Sequence, residues 1–327
     1  MIKKLEETTV GKVAKELSRL RNEKGATTSS RVLTLVILAE KGHSKTAVEA
    51  ALKASYEHPC RIIVHVDYGQ DAQDRLDAHI YVGGDAGASE LIILRGYGSA
   101  AVATESLISG LLLPDSPIVA WWPHSVPENP AEHSIGKIAQ RRITDSARAY
   151  NPLGVLKKLV TSYKDGDTDL AWIRLTLWRI QIAAVFDQLE PAPVKRVVVS
   201  GSSMSPSVVL LGAWLGDRLD AEVHLRTTDA QRGLYKVELE REDGSIVIHR
   251  PGRNIATISS PGVPDQQISL PARSLADCLA EELRRLDPDV VYGEVLKSVA
   301  ANSKIVVDVD TDDEPVEGTD YTEVYDA

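Results

Sequence analysis

The sequence predicts an α/β protein of two domains, with a mainly parallel sheet in the first and a mixed sheet with antiparallel strands in the second. Its 327 residues are enough for two domains of ordinary size. In the first half, apolar strand-like runs alternate with segments of helical periodicity, as in a parallel sheet with helical connections. In the second half, three strand-like segments follow one another across Gly-containing turns, which favours antiparallel pairing.

The first domain begins with an amphipathic helix predicted over residues 2–21, where apolar residues recur at helical spacing between Lys, Glu and Arg. The continuous apolar run at 31–39 predicts a strand that is buried on both faces. The remaining predicted elements are helices at 44–57 and 99–112 and strands at 61–66, 78–82, 90–94 and 117–121.

A short polar stretch at 164–169 separates the two halves, so the first domain is assigned to 1–166 and the second to 167–303. The second domain opens with a largely apolar helix at 170–189, which Asp169 is placed to cap. The remaining predicted elements are strands at 195–199, 221–226, 236–241, 245–250 and 254–259 and helices at 205–218, 274–286 and 293–301.

The net charge of −10 is concentrated at the C-terminal end of the sequence. Nine acidic residues and no Lys or Arg lie between residues 305 and 327, which leaves the rest of the chain nearly neutral. We therefore predict that 304–327 is an acidic, disordered tail, because it has little apolar surface to bury. No region has the basic balance that a phosphate backbone requires, which argues against nucleic-acid binding.

The apolar runs and the cysteines indicate a cytoplasmic protein. The longest apolar runs are well short of the ~20 residues that a membrane helix needs, and the first twenty residues do not resemble a signal peptide. The two cysteines, Cys60 and Cys278, cannot form a disulfide framework and fit a reducing compartment.

Two turns between a strand and a helix have residue types that suit an anion or a cofactor. Gly96 and Gly98 match a short GxGxxA fingerprint, but no acid follows at the end of a second strand, and a tight turn also explains the glycines. In the turn at 200–205, backbone N–H groups and hydroxyls could bind an anion, although helix capping explains the same residues. The candidate anion-binding residues are Gly201, Ser202, Ser203 and Ser205.

The other residues that carry chemistry do not form a catalytic set. The eight histidines include no HExxH motif and no cluster with cysteine, so no metal site is predicted. No nucleophile motif is present, and no cofactor is predicted.

Tryptophan and arginine are concentrated in two short segments, at 117–124 and 169–179. These residue types often anchor protein interfaces, and they are equally common in cores, where Arg stacks on a Trp ring. The candidate partner-binding residues are Trp121, Trp122, Arg174, Trp178 and Arg179.

The same two segments resemble the OpcA family of bacterial glucose-6-phosphate dehydrogenase assembly proteins. The resemblance is carried by Trp-Trp-Pro at 121–123, by Asp-Ser-Ala-Arg at 145–148 and by Trp-Ile-Arg-Leu-Thr-Leu-Trp-Arg at 172–179. Segments 28–38, 58–61, 214–219 and 285–290 are similar to the family pattern as well, so the resemblance spans about 1–300 and leaves out the acidic tail.

This resemblance implies a non-enzymatic assembly factor and allosteric activator of glucose-6-phosphate dehydrogenase, which supports NADPH production in the oxidative pentose phosphate pathway. It also implies an α/β scaffold without a bound dinucleotide. The alternative is a sugar-phosphate-binding sensor or enzyme that uses the turn at 200–205 as an anion site.

Overall fold

The computed structural model describes residues 1–23, 32–83, 90–228, 233–301 and 305–309. The helices are α1 (Val10–Glu23), α2 (Ser44–Ala54), α3 (Glu105–Ile108), α4 (Ser134–Ile138), α5 (Pro152–Ser162), α6 (Leu170–Ile173), α7 (Thr176–Phe186), α8 (Pro206–Leu219), α9 (Leu275–Leu283) and α10 (Val290–Ala301). The strands are β1 (Ile2–Leu5), β2 (Leu33–Glu40), β3 (Cys60–Asp67), β4 (Arg75–Val82), β5 (Glu90–Tyr97), β6 (Ile118–Trp122), β7 (Arg141–Thr144), β8 (Asp167–Asp169), β9 (Val194–Ser202), β10 (Glu222–Thr228), β11 (Lys236–Arg241), β12 (Gly244–His249), β13 (Ile255–Ser260), β14 (Val263–Ser269) and β15 (Ile305–Val309).

The chain divides into two compact units, each containing one sheet. Unit 1 is made of Met1–Asp145, Lys164–Asp169 and Ser274–Asp289, and unit 2 is made of the remaining three segments. This division differs from a single break after residue 166, because β8 and α9 pack in unit 1 although they come later in the chain.

Unit 1 has an eight-stranded sheet in the order β1-β4-β5-β3-β2-β6-β7-β8. All neighbouring pairs are parallel except β1–β4 and β4–β5, which confirms the mainly parallel sheet. Six neighbouring strands are parallel and lie in the order β5-β3-β2-β6-β7-β8. If these six are renumbered 1 to 6 in chain order, the arrangement is 3-2-1-4-5-6, as in doubly wound dinucleotide-binding folds. Seven of the eight β2 residues are buried, as a central strand with both faces covered requires.

Unit 2 has a seven-stranded sheet in the order β14-β13-β12-β11-β9-β10-β15. The pairs β9–β10 and β10–β15 are parallel, and the other four pairs are antiparallel, which confirms a mixed sheet. The predicted tail at 304–327 differs in its first part, since 305–309 form β15. Its run of Ile, Val and Val favours a strand over a solvated segment. The rest of the tail lies outside the described residues.

Three predicted helices differ from the structure. The N-terminal segment forms β1 before α1, and the segment 99–112 forms a 3₁₀ turn at Gly98–Ala101, then α3, then another 3₁₀ turn at Ser109–Leu111. The segment 170–189 is broken between α6 and α7. There the N–H of Leu175 bonds to the carbonyl of Trp172, three residues back, and this interrupts the α-helical ladder.

Strands β7 and β8 are short and rich in charged residues, yet both are buried in unit 1. Arg142 on β7 pairs with Asp167 on β8, and Arg141 pairs with Glu282 on α9. Asp169 ends β8, and its carboxylate accepts a hydrogen bond from the Thr144 hydroxyl at 2.6 Å. Specific partners thus replace the apolar pattern that usually marks a buried strand.

Among the described residues, no helix has the length and apolar character to cross a membrane.

Candidate functional site

Trp121 and Trp122 end β6, so their side chains point to opposite faces of the unit 1 sheet. They are 0% and 3% exposed. Trp122 belongs to the apolar cluster that holds Val36 and Ile135, and its ring meets the His133 ring edge-on at 5.3 Å between centroids. Both indoles therefore support the core of unit 1, and their contact with a partner stays a prediction.

The other three candidate partner-binding residues lie in unit 2 and combine Arg with buried Trp. Trp178 on α7 is buried, and the guanidinium of Arg250 lies 5.1 Å from its ring centroid. The guanidinium of Arg179 lies 3.9 Å from the ring centroid of Trp172, which is also buried. Arg174, between α6 and α7, and Arg179 are partly exposed, so they keep surface that a partner can reach.

The turn at 200–205 connects β9 to α8, and its polar groups have partners within the protein. The N–H of Ser203 donates to the Thr228 carbonyl at 3.1 Å, and the N–H of Ser205 donates to the Ser202 carbonyl at 3.0 Å. A Cβ on Gly201 would lie 2.4 Å from a valine side chain of α8, so this glycine permits close packing. An anion here would have to replace those hydrogen bonds, and the anion site stays a prediction.

Doubly wound sheets bind ligands at the carboxyl ends of the strands where the strand order reverses, which in unit 1 is between β2 and β6. Dinucleotide binding at this position requires a glycine-rich turn after the first strand, so that the backbone approaches the pyrophosphate. Here the turn after β2 has a single glycine, Gly42. The ring of His43 stacks on that of His124, with centroids 4.2 Å apart. These residues do not fit a dinucleotide.

Gly96 and Gly98 matched a dinucleotide fingerprint. Gly96 lies near the end of β5, the outermost of the parallel strands, and Gly98 follows that strand. A Cβ on Gly96 would lie 1.8 Å from the carbonyl oxygen of Ala100. Gly98 has a φ of +61°, and a Cβ there would lie 2.3 Å from Asp74 Oδ1. Both glycines therefore serve close packing of a turn.

Burial lowers the pKa of three histidines in unit 1, His65, His79 and His133. His65 lies on β3 and is 2% exposed; its ring nitrogen Nε2 donates to the Ala100 carbonyl at 2.8 Å, which only partly offsets the effect of burial. Burial and the nearby His65 lower the pKa of His133. Its Nδ1 accepts the N–H of Ile135, so the rings of His65 and His133 both have roles in the neutral form.

A cleft of about 450 Å³ lies beside the Gly98 turn in unit 1. Its lining residues include Glu7, Thr8, Gln73, Asp74, Arg75 and Tyr97. We call it the Asp74 cleft. Its lining residues come from three separate segments of the chain, so no local sequence motif predicts it. The signal in the sequence was Gly98, which indicates close packing next to the cleft.

Within the part of the chain that the structure describes, no group of three or more His, Cys, Asp or Glu residues is arranged to hold a metal ion. Cys60 and Cys278 are both buried.

Two protein-family models match the chain. Residues 51–161 match the model described as the N-terminal domain of the glucose-6-phosphate dehydrogenase subunit, and 165–296 match the model of its C-terminal domain. No curated protein matches at a significant level.

Several solved oxidoreductases have a similar fold. The 3-ketoreductase KijD10 from Actinomadura kijaniata is 10% identical, with a TM-score of 0.47 over 85% of this chain and 99% of that one. An oxidoreductase from Sinorhizobium meliloti is 11% identical, with a TM-score of 0.43 over 82% of this chain and 88% of that one. These likenesses are too weak to carry an argument about activity.

Proposed function

Since the chain belongs to the glucose-6-phosphate dehydrogenase subunit (OpcA) family, we propose that it is a non-enzymatic assembly factor and allosteric activator of that dehydrogenase. The observation that carries the proposal is the pair of family models, which together match 51–161 and 165–296. Through its partner the protein supports NADPH production in the oxidative pentose phosphate pathway of the cytoplasm.

The proposed mechanism is a shift of the dehydrogenase population toward its active assembled state. A ligand that binds one state better than another moves the equilibrium by its differential affinity. Changing a 1:99 ratio into 99:1 requires about 5.5 kcal/mol of differential binding. A few anchor residues at one interface contribute energies of this size, because single hot spots are worth about 2–4 kcal/mol.

We propose that Arg174 and Arg179 contact the dehydrogenase. Arginine is enriched among interface anchors, and both residues are partly exposed in unit 2. The buried Trp172 ring underlies the Arg179 guanidinium at 3.9 Å and restricts its position, which reduces the entropy lost on binding. Trp121, Trp122 and Trp178 support the two units from within.

The residues at the carboxyl ends of β2 and β6 support a role other than a dinucleotide-dependent reaction. The stacked His43 and His124 rings and the single glycine of the β2–α2 turn are at the position where a dinucleotide-dependent enzyme would bind its pyrophosphate. The hydride-transfer chemistry is therefore assigned to the partner.

The test is the activity of glucose-6-phosphate dehydrogenase from the same organism, measured with and without this protein. Size-exclusion chromatography with light scattering on the same mixtures gives the stoichiometry. We expect higher activity and a co-eluting complex. Absence of both activation and complex would refute the proposal.

The residue assignment is tested with Arg174→Glu, with Lys157→Glu as the control in the same unit, because Lys157 is exposed on α5. We expect Arg174→Glu to weaken activation at least tenfold in half-maximal concentration at unchanged melting temperature, and Lys157→Glu to leave both unchanged. Equal effects of the two reversals would show that Arg174 is not a specific contact.

A further inference from the structure

We propose that the Asp74 cleft binds a basic side chain, arginine or lysine, presented by a protein partner. The identity of that partner as glucose-6-phosphate dehydrogenase rests on the proposed function, whereas the chemistry of the cleft does not. Four observations support the proposal: an unpaired buried hydroxyl, a fixed carboxylate, a strained acidic residue at the rim, and an arginine that is already engaged.

The unpaired hydroxyl belongs to Thr8, in the turn between β1 and α1. The Thr8 N–H donates to the Leu76 carbonyl at 2.8 Å, so the residue is fixed to β4, and the residue is 9% exposed. Its Oγ1 has no hydrogen-bond partner among the described residues. A buried polar atom without a partner is unfavourable, and a ligand that reaches it removes that cost.

The fixed carboxylate is Asp74, which precedes β4. Its Oδ1 accepts the N–H of Ser99 at 2.7 Å, and this bond holds the pKa of Asp74 below its usual value. Gly98 makes the approach possible, since any side chain at that position would collide with Oδ1. The carboxylate is therefore ionised and positioned in the free protein.

The acidic residue at the rim is Glu7, whose backbone has a φ of +45°. This left-handed conformation is unusual for a residue with a side chain and is stabilised here because the Glu7 N–H donates to Asp77 Oδ1 at 3.0 Å. Strained residues of this kind concentrate at functional sites. Glu7 lines the cleft, so a second acidic residue lies beside Asp74 there.

The positive charge of the cleft, Arg75, already has partners. Its guanidinium lies 4.0 Å from the Tyr97 ring centroid, and its Nε is 3.3 Å from Asp77 Oδ2. The groups that remain for a ligand are mainly acceptors: the Asp74 and Glu7 carboxylates and the Thr8 hydroxyl. Arginine and lysine carry only donors and a positive charge, so they complement this set, whereas a sugar phosphate would be repelled.

The first arm of the test needs no partner protein. N-acetylarginine methylamide is titrated into the full chain and followed by amide NMR shifts at Asp74 and Ser99. Its citrulline analogue, which has the same shape without the charge, is the control. We expect arginine to bind at least tenfold more tightly than citrulline, and Asp74→Asn to abolish the difference. Equal binding of the two probes, or no shifts with either, would overturn the proposal.

The second arm measures binding to the dehydrogenase. Asp74→Asn is expected to weaken it about tenfold, whereas Asp71→Asn, an exposed acid of the same loop that does not line the cleft, is expected to have no effect. Thr8→Val separates binding from folding. It removes an unpaired hydroxyl, so the melting temperature should rise or stay the same while binding weakens.

The two arms distinguish the two proposals. If the wild-type chain does not bind the dehydrogenase, the proposed function fails and the arginine titration still decides the chemistry of the cleft. If the wild-type chain binds and both Asp74→Asn and Thr8→Val bind as tightly as the wild type, the proposed function survives and the docking role of the cleft is wrong.

Discussion

Replacing Gly98 with alanine tests the packing on which the Asp74 cleft depends. At a φ of +61°, alanine is strained by about 1–2 kcal/mol relative to a right-handed conformation. The new Cβ would also lie 2.3 Å from Asp74 Oδ1 and 2.7 Å from the Ala72 carbonyl oxygen. Because one of these atoms is backbone, the loop before β4 must move, which costs a further ~1–3 kcal/mol by analogy with overpacked cores.

Gly42→Ala is the matched control, because Gly42 also lies in unit 1 and has a positive φ of +92°. A Cβ there would meet nothing within 4 Å, so this variant pays only the conformational cost. The φ of Gly42 is further from the left-handed minimum than the φ of Gly98. The backbone strain of alanine at position 42 is therefore at least as large as that of alanine at position 98.

The assay is urea unfolding of both variants, together with hydrogen exchange of the Ser99 amide. We expect Gly98→Ala to be less stable than Gly42→Ala by about 1–3 kcal/mol, and the Ser99 amide to exchange faster in Gly98→Ala alone, because its bond to Asp74 is lost. Equal destabilisation by the two variants, with Ser99 still protected, would refute the close contact and with it the fixed position of Asp74.

Two further predictions concern buried ionisable residues in unit 1. Glu282→Ala should lower the free energy of unfolding in urea by about 3–5 kcal/mol, because it leaves the buried Arg141 guanidinium without its carboxylate. Replacing both residues with methionine should restore most of that stability. A loss below about 1 kcal/mol in Glu282→Ala would contradict this. Acidification should destabilise the fold from about pH 6.5 downward, because the unfolded chain protonates its histidines before folded His65 and His133, whose pKa is lowered, do. His65→Gln should flatten the dependence of the free energy of unfolding on pH, and an unchanged dependence would contradict this.

The sequence predicted best those elements whose apolar pattern alone determines them. Strand β2 was expected because a continuous apolar run suits a central strand, and the structure buries nearly all of it. Strands β7 and β8 escaped prediction because their residues are charged or polar. The two arginines of β7 are buried because they pair with Asp167 on β8 and Glu282 on α9, which come later in the sequence.

The candidate site shows the same division. The sequence singled out Trp178 and Arg179 by residue type, and the structure shows that the indole ring is interior and the guanidinium partly exposed. Residue type cannot tell these apart, because Trp and Arg are common both in cores and at interfaces. The Asp74 cleft joins residues 7–8, 72–76 and 97, which only the fold brings together.

The way the chain enters unit 1 three times has a consequence for its synthesis. Residues 1–145 leave the ribosome before β8 and α9 exist, so Arg142 and Arg141 have neither Asp167 nor Glu282 to pair with. At translation rates of about 5–20 residues per second, the wait for residue 289 lasts roughly 7–30 s. During that interval the nascent chain holds an incomplete sheet with an open β7 edge, which is the kind of surface that chaperones recognise. A fragment ending near residue 166 would remain in that state permanently.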